Sequence, residues 1–331
     1  MDWASILAVT DGAAGSDAAM AAAVDLGQRF GARVEFLHVA NDPRDLLPYV
    51  GEGMSGTALE QVMASVEASN AKRREAVDAS FKRLCSGAGL PVVGADEPVE
   101  AGAFAVCLNV VTGRQPEEIE RRARLCDLIV MPHPSLTEGD ESASMDAALF
   151  GTGRPVITAP AKTKKDFGSK VAIAWDGSRE GALAVTGALP LLKTAHEVVI
   201  ITAREDDDVV EPSALARYLA GHGIKAKTWA YTPGSEPIAE GLLDQADHAG
   251  SDCLVMGAYG HSRLRERILG GATEGVLQRA KIPVLMMHRV MPVPAPGGAG
   301  LRSLGEWAKL AGRPKGRRAR ISAPAKVGAV A

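Results

Sequence analysis

Paired cysteines are what this chain most plainly lacks. Its four, Cys85, Cys107, Cys126 and Cys253 in 331 residues, stand alone, without the close spacing that holds zinc or runs thiol exchange. The seven histidines show no metal-ligand spacing either, there is no lysine-bearing phosphate loop, and no Ser/His/Asp arrangement stands out. Long apolar runs are missing too, which excludes a membrane span. No basic leader precedes the apolar SILAV that gives way to Asp11, so no secretion signal is expected and a reducing cytoplasm is the expected location.

What remains is 46% hydrophobic and 23% charged, ordinary for a soluble α/β protein and far from disordered or fibrous compositions. The formal net charge of −3 hides an uneven spread. Arg302, Lys309, Arg313, Lys315, Arg317, Arg318, Arg320 and Lys326 face the single acid Glu306 near the C-terminus, which leaves the rest distinctly acidic. That basic stretch has one aromatic, Trp307, too few for interleaved stacking, so nucleic-acid binding is not expected; a disordered solubilising tail is.

One pattern occurs twice. ILAVTDGAAGSDAAMAAAVDLGQRFGARVEFLHV from Ile6 parallels VAIAWDGSREGALAVTGALPLLKTAHEVVIITA from Val171, CDLIVMPHP from Cys126 parallels SDCLVMGAYG from Ser251, and GRPVITAPA parallels KIPVLMMH. Each copy reads as strand, Asp-Gly loop, Ala-rich helix and strand. Unalternating runs such as LIVM and CLVM suit strands buried on both faces, hence parallel pairing through right-handed crossovers. The expected fold class is α/β, two tandem doubly wound domains, each a roughly five-stranded parallel sheet flanked by helices. The boundaries fall at 1–160 and 170–289, with a polar linker at 161–169 and a basic tail at 290–331. The first copy alone has a long amphipathic stretch, Ala58 to Leu84, expected as a helix; Ser303 to Ala311 could form a short one.

In such sheets ligands settle outside the carboxyl ends of the strands. Asp176 and the segment GAYGHSRLRERILGGAT, Gly257 to Thr273, both lie at such ends. Gly257 and Gly260 permit close main-chain approach, and Gly270 and Gly271 precede a helix-like segment whose first amides could face an anion. The same glycines would equally serve a plain strand-to-helix turn, and Asp176-Gly177-Ser178 would equally make a helix entry. Arg263 and Arg265 are the candidate phosphate contacts, or else part of a solvated face beside Glu266.

On these residues both halves resemble universal stress protein domains, from about Asp2 to Met287. The resemblance implies that an aspartate ending the first strand and a G-x2-G-x9-G-[ST] loop bind ATP; magnesium is the ion that could accompany it. Asp176, Gly257, Gly260 and Gly270 take those positions. The expected hydroxyl residue is replaced by Gly271, leaving the backbone of Gly271 and Ala272 to serve, while Thr273 either meets phosphate or caps the helix, capping being the simpler role. In the first half Asp11 keeps the aspartate position, but Pro132, Ser135 and Met145 stand where the loop glycines belong. Asp11 is therefore expected to be a turn residue, and at most one nucleotide per chain is expected. The resemblance also implies pairing through the last strand of each half, which two fused halves could satisfy internally while leaving room for a homodimer. The function implied is a stress-response protein binding an adenine nucleotide. The alternatives are an interaction protein without nucleotide and, third, a slow ATPase.

Overall fold

A computed structural model describes residues 2–45, 56–134, 142–203, 211–259 and 271–288. The first half runs β1 (Ser5–Val9), α1 (Ala14–Phe30), β2 (Arg33–Ala40), α2 (Gly56–Ala88), β3 (Ala105–Thr112), α3 (Gln115–Ala123), β4 (Leu128–Pro132), α4 (Ser142–Gly151) and β5 (Val156–Ala159). The second runs β6 (Lys170–Ala174), α5 (Arg179–Gly187), α6 (Leu189–Thr194), β7 (Glu197–Ala203), α7 (Pro212–Gly221), β8 (Ala226–Tyr231), α8 (Ile238–His248), β9 (Cys253–Gly257), α9 (Ala272–Arg279) and β10 (Val284–Met287).

The ten strands form one sheet in the order β3-β2-β1-β4-β5-β10-β9-β6-β7-β8. Within each half all neighbours are parallel, with the reversal beside the first strand that marks a doubly wound sheet. The halves join where β5 and β10 pair antiparallel, Val284 opposite Thr158 and Met286 opposite Val156. Each last strand thus covers the other's open edge, the internal solution anticipated for two fused halves.

Why these residues make these elements is legible locally. β4 is buried along its whole length and β9 at all but its last residue, as unalternating apolar runs require when helices cover both faces. One apolar layer gathers Ala19 and Met20 of α1, Ile157 of β5, Ala184 of α5 and Leu285 of β10. The opposite layer gathers Ile119 of α3, Ala148 of α4, Leu242 of α8 and Val276 of α9. Both layers therefore continue across the joint. Helix α1 stops at Gly31, whose φ of 62° lets its N–H reach the Gly27 carbonyl.

The repeat extends to side-chain detail. Asp127 Oδ2 accepts the Ala4 and Ser5 amides at 2.9 and 3.0 Å; Asp252 Oδ1 accepts those of Gly168 and Lys170 at 2.9 and 3.0 Å. Each carboxylate ties the start of its half's first strand to that of its fourth. The 161–169 linker is consequently not loose at its end: Phe167 is buried, and its carbonyl accepts from Arg29 at 2.9 Å. The long helix expected over Ala58 to Leu84 is α2, a few residues longer at each end. The tail from 290 onward, the expected Ser303–Ala311 helix and the acidic run Glu205 to Asp208 lie outside the described residues. No helix among the described residues is long and apolar enough to cross a membrane.

Candidate functional site

The carboxyl ends of β6 and β9 lie side by side, with Ala174 opposite Met256. Two residues past β6 stands Asp176, exposed to solvent, its Oδ1 accepting the Ser178 amide at 2.9 Å. Ser178 is the N-cap of α5 and accepts the Gly181 amide at 2.9 Å. The helix-entry role anticipated for Asp176 is therefore realised, and it occupies Oδ1 only.

Gly257 closes β9 directly beneath this helix entry. A Cβ on it would lie 2.5 Å from the Gly181 nitrogen and 2.7 Å from the Glu180 carbonyl carbon, far inside ordinary contact. Its missing side chain lets α5 sit on the strand end. A Cβ on Gly181 would in turn lie 3.0 Å from Asp176 Oδ1. Asp176 and Gly257 thus converge on one residue, Gly181.

Past Gly257 the chain is held from two sides. Tyr259 takes a φ of 50°, uncommon for a residue with a side chain, and its N–H donates to Thr273 Oγ1 at 3.0 Å. Thr273 does not cap α9, contrary to the simpler expectation. Buried in the first turn, its hydroxyl accepts from Tyr259, two residues past the end of β9, and the N-cap is Gly271 without a side-chain bond. A hydroxyl that accepts one bond keeps its hydrogen for another partner. The Tyr259 ring packs against Phe150 of the first half at 5.2 Å, Phe150 against His288 at 4.7 Å, and His288 Nδ1 lies 2.7 Å from the Ala258 carbonyl. Burial, reinforced by Asp146 and Glu274, pushes the Tyr259 hydroxyl above its usual pKa.

Of the residues singled out in the sequence, the structure brings together Asp176 and Gly257, and ties Thr273 to the residue two past Gly257. Gly271 and Ala272 open α9, and a Cβ on Gly271 meets no described atom within 4 Å. Gly260, Arg263, Arg265 and Gly270 lie outside the described residues.

The first half differs. Asp11 is 6% exposed; its Oδ1 accepts the Ala13 amide at 2.9 Å and the Ser16 hydroxyl, while its own N–H donates to Ser16 Oγ at 3.2 Å. It is the turn residue expected. Yet a cavity of about 330 Å³ opens beside it, lined by Asp11, Gly12, Ala13, Ser69, Lys72, Arg73 and Ala76. Sequence reasoning missed Lys72 and Arg73, which α2 carries there; their signal was the basic AKRREA inside an amphipathic helix, otherwise an ordinary solvated face. It also missed Phe150, whose contact exists only because β5 meets β10.

Two doubly wound halves sharing a sheet, each with an aspartate after its first strand, define a tandem doubly wound α/β protein. A family model described as the universal stress protein family matches residues 3–143 and 169–288; the chain belongs to that family. It is similar to Universal stress protein Slr1230 of Synechocystis, 24% identical over 307 residues that make up 85% of this chain and 98% of the relative. It is also similar to Universal stress protein Rv1636 of Mycobacterium tuberculosis, 26% identical over 156 residues, 46% of this chain and 92% of the relative. The crystal structure of a universal stress protein from Archaeoglobus fulgidus superposes with a TM-score of 0.56 at 15% identity, covering 86% of this chain and 98% of that one; this likeness speaks to the fold.

Proposed function

We propose that the second half binds an adenine nucleotide, ATP with magnesium, and that occupancy changes the shape or partner of a cytoplasmic stress-response protein. The observation that carries this reading is the convergence of Asp176 and Gly257 on Gly181 at neighbouring strand ends, with the amino end of α9 returned to the same place by the Thr273–Tyr259 bond. Asp176 Oδ2, with no partner among the described residues, is suited to a ribose hydroxyl. The open space at Gly271 gives an anion access to the first amides of α9. Magnesium travels on the phosphates and keeps most of its waters, so it needs no protein cage.

Thermal unfolding with and without ATP and magnesium tests the reading. A ligand at about 100 times its Kd adds about 2.7 kcal/mol of stability, and Asp176→Ala should remove that gain beyond any change in the ligand-free baseline. Unchanged stability with ATP at about 5 mM would favour a second reading, an interaction protein that uses the fold without nucleotide. The glycine at 271, where a hydroxyl donor was expected, is the observation on that side.

A further inference from the structure

The cavity beside Asp11 belongs to the half whose glycine loop is gone, and its walls have a definite chemistry. One wall is the turn that enters α1, a 17-residue helix whose N-cap, Ala13, offers no side-chain bond. Positive potential from its first amides is therefore directed outward. The other wall is the middle of α2. It is seated firmly: Gly12, at φ 81°, lies so close that a Cβ there would come within 2.8 Å of the Arg73 carbonyl oxygen.

From that wall come Lys72 and Arg73, successive residues that both line the cavity. Neither forms an ion pair among the described residues, although neighbouring Arg74 and Arg83 do, with Asp78 and Asp17. Asp11, the cavity's acid, is a buried residue, and its two carboxylate oxygens are unequal. Oδ1 takes both bonds from the turn, and Oδ2 takes none among the described residues. Oδ2 is left to accept a hydrogen bond from a ligand or from water. Next to Asp11 in the chain, the Thr10 carbonyl lies 3.1 Å from His38 Nδ1, while His38 Nε2 and Thr10 Oγ1 are buried without partners among the described residues.

We propose that this cavity is a binding site for a small hydroxylated phosphate monoester. The phosphate sits between Lys72, Arg73 and the amino end of α1, and a hydroxyl of the ligand donates to Asp11 Oδ2. Two cations against one carboxylate leave the cavity net positive, which suits a phosphate and opposes a cationic ligand. Its volume lies at the small end of ligand pockets, sized for a compact molecule. The holder of the anion is α2, which among the described residues is far longer than its counterpart α7, and the site stands independently of any nucleotide in the second half.

The test uses the full chain, titrated calorimetrically with ribose 5-phosphate, ribose and inorganic phosphate. Ribose 5-phosphate should bind with a Kd near or below about 1 mM. Inorganic phosphate should bind at least about fivefold more weakly, and ribose undetectably at about 10 mM. The double variant Lys72→Gln/Arg73→Gln should weaken ribose 5-phosphate at least about tenfold. Lys193→Gln/Arg217→Gln, which removes the same charge from exposed sites elsewhere, should leave affinity within about twofold. In the unmutated, isotope-labelled chain the amide resonances of Gly12, Ala13 and Lys72 should move on titration, locating the site whatever the variants do. No binding of ribose 5-phosphate, equal binding of ribose, unchanged affinity in the Lys72/Arg73 variant, or shifts confined to the second half would each overturn the proposal.

Discussion

Replacing Gly257 by alanine adds one methyl group where the structure leaves no room for it. The new Cβ would sit 2.5 Å from the Gly181 nitrogen, 2.7 Å from the Glu180 carbonyl carbon and 3.0 Å from Glu180 Cβ, short of ordinary contact by roughly 1 Å. The first two are backbone atoms of the opening turn of α5, so no side chain can rotate away. Either β9 withdraws from β6 or α5 lifts from the sheet, and overpacking of this kind costs about 3 kcal/mol, the upper end of its usual range. For a chain of this size that is a Tm lower by about 4 °C. The control has the opposite sign. Gly87, exposed near the end of α2, would place a Cβ in open space, and Gly87→Ala should raise stability by about 0.5 kcal/mol. Thermal and urea unfolding followed by circular dichroism read both. A Gly257→Ala protein as stable as its parent would refute the reasoning that this glycine is demanded by packing. The expected result also shows why a function test belongs at Gly260, since loss of binding in a Gly257 variant would follow from damage to the fold.

Three further outcomes are expected. Asp252→Ala leaves the Gly168 and Lys170 amides without their acceptor and should cost about 2 kcal/mol in urea unfolding; no change would deny that the carboxylate anchors β6. Ser178→Ala removes the cap of α5 and should cost about 1 kcal/mol, whereas Ser178→Asp should restore most of it. Burial holds the His38 pKa below its ordinary 6.5, outweighing the bond to the Thr10 carbonyl that raises it. The folded state therefore binds fewer protons than the unfolded one between the lowered value and 6.5, so this contribution is complete above 6.5 and is lost as the pH falls below it. The Tm should decline from pH 7 to pH 5 less steeply in His38→Gln than in the parent, and parallel profiles would contradict the assignment.

How much of this was legible beforehand varied with the range of the interactions. Strand identity, order of elements and the two-fold repeat follow from local patterns: LIVM and CLVM cannot serve as half-exposed strands, and Asp-Gly before an Ala-rich run is a strand-to-helix entry in both copies. The pairing of β5 with β10 could be anticipated because an apolar last strand demands an edge partner, although its antiparallel register could not. The site was legible only in part. Asp176 and Gly257 were placed correctly at strand ends, but Gly257 is needed for contact with α5 whether or not a ligand comes, and no local pattern distinguishes a glycine kept for packing from one kept for phosphate. Thr273 was expected to turn toward its own helix and instead reaches Tyr259, 14 residues earlier. Phe150 depends on a contact between halves, and Lys72 and Arg73 depend on how α2 lies over the β1–α1 turn. Such placements are decided by tertiary packing, which composition and periodicity do not encode residue by residue.

The central claim is that the second half, alone of the two, takes up a nucleotide. Calorimetric titration of the full chain with ATP and magnesium, repeated on Gly260→Val, tests it most directly. The account predicts saturable heat with a stoichiometry of about one per chain in the parent and none in the variant. Absence of heat from the intact protein, or undiminished binding in Gly260→Val, would contradict it.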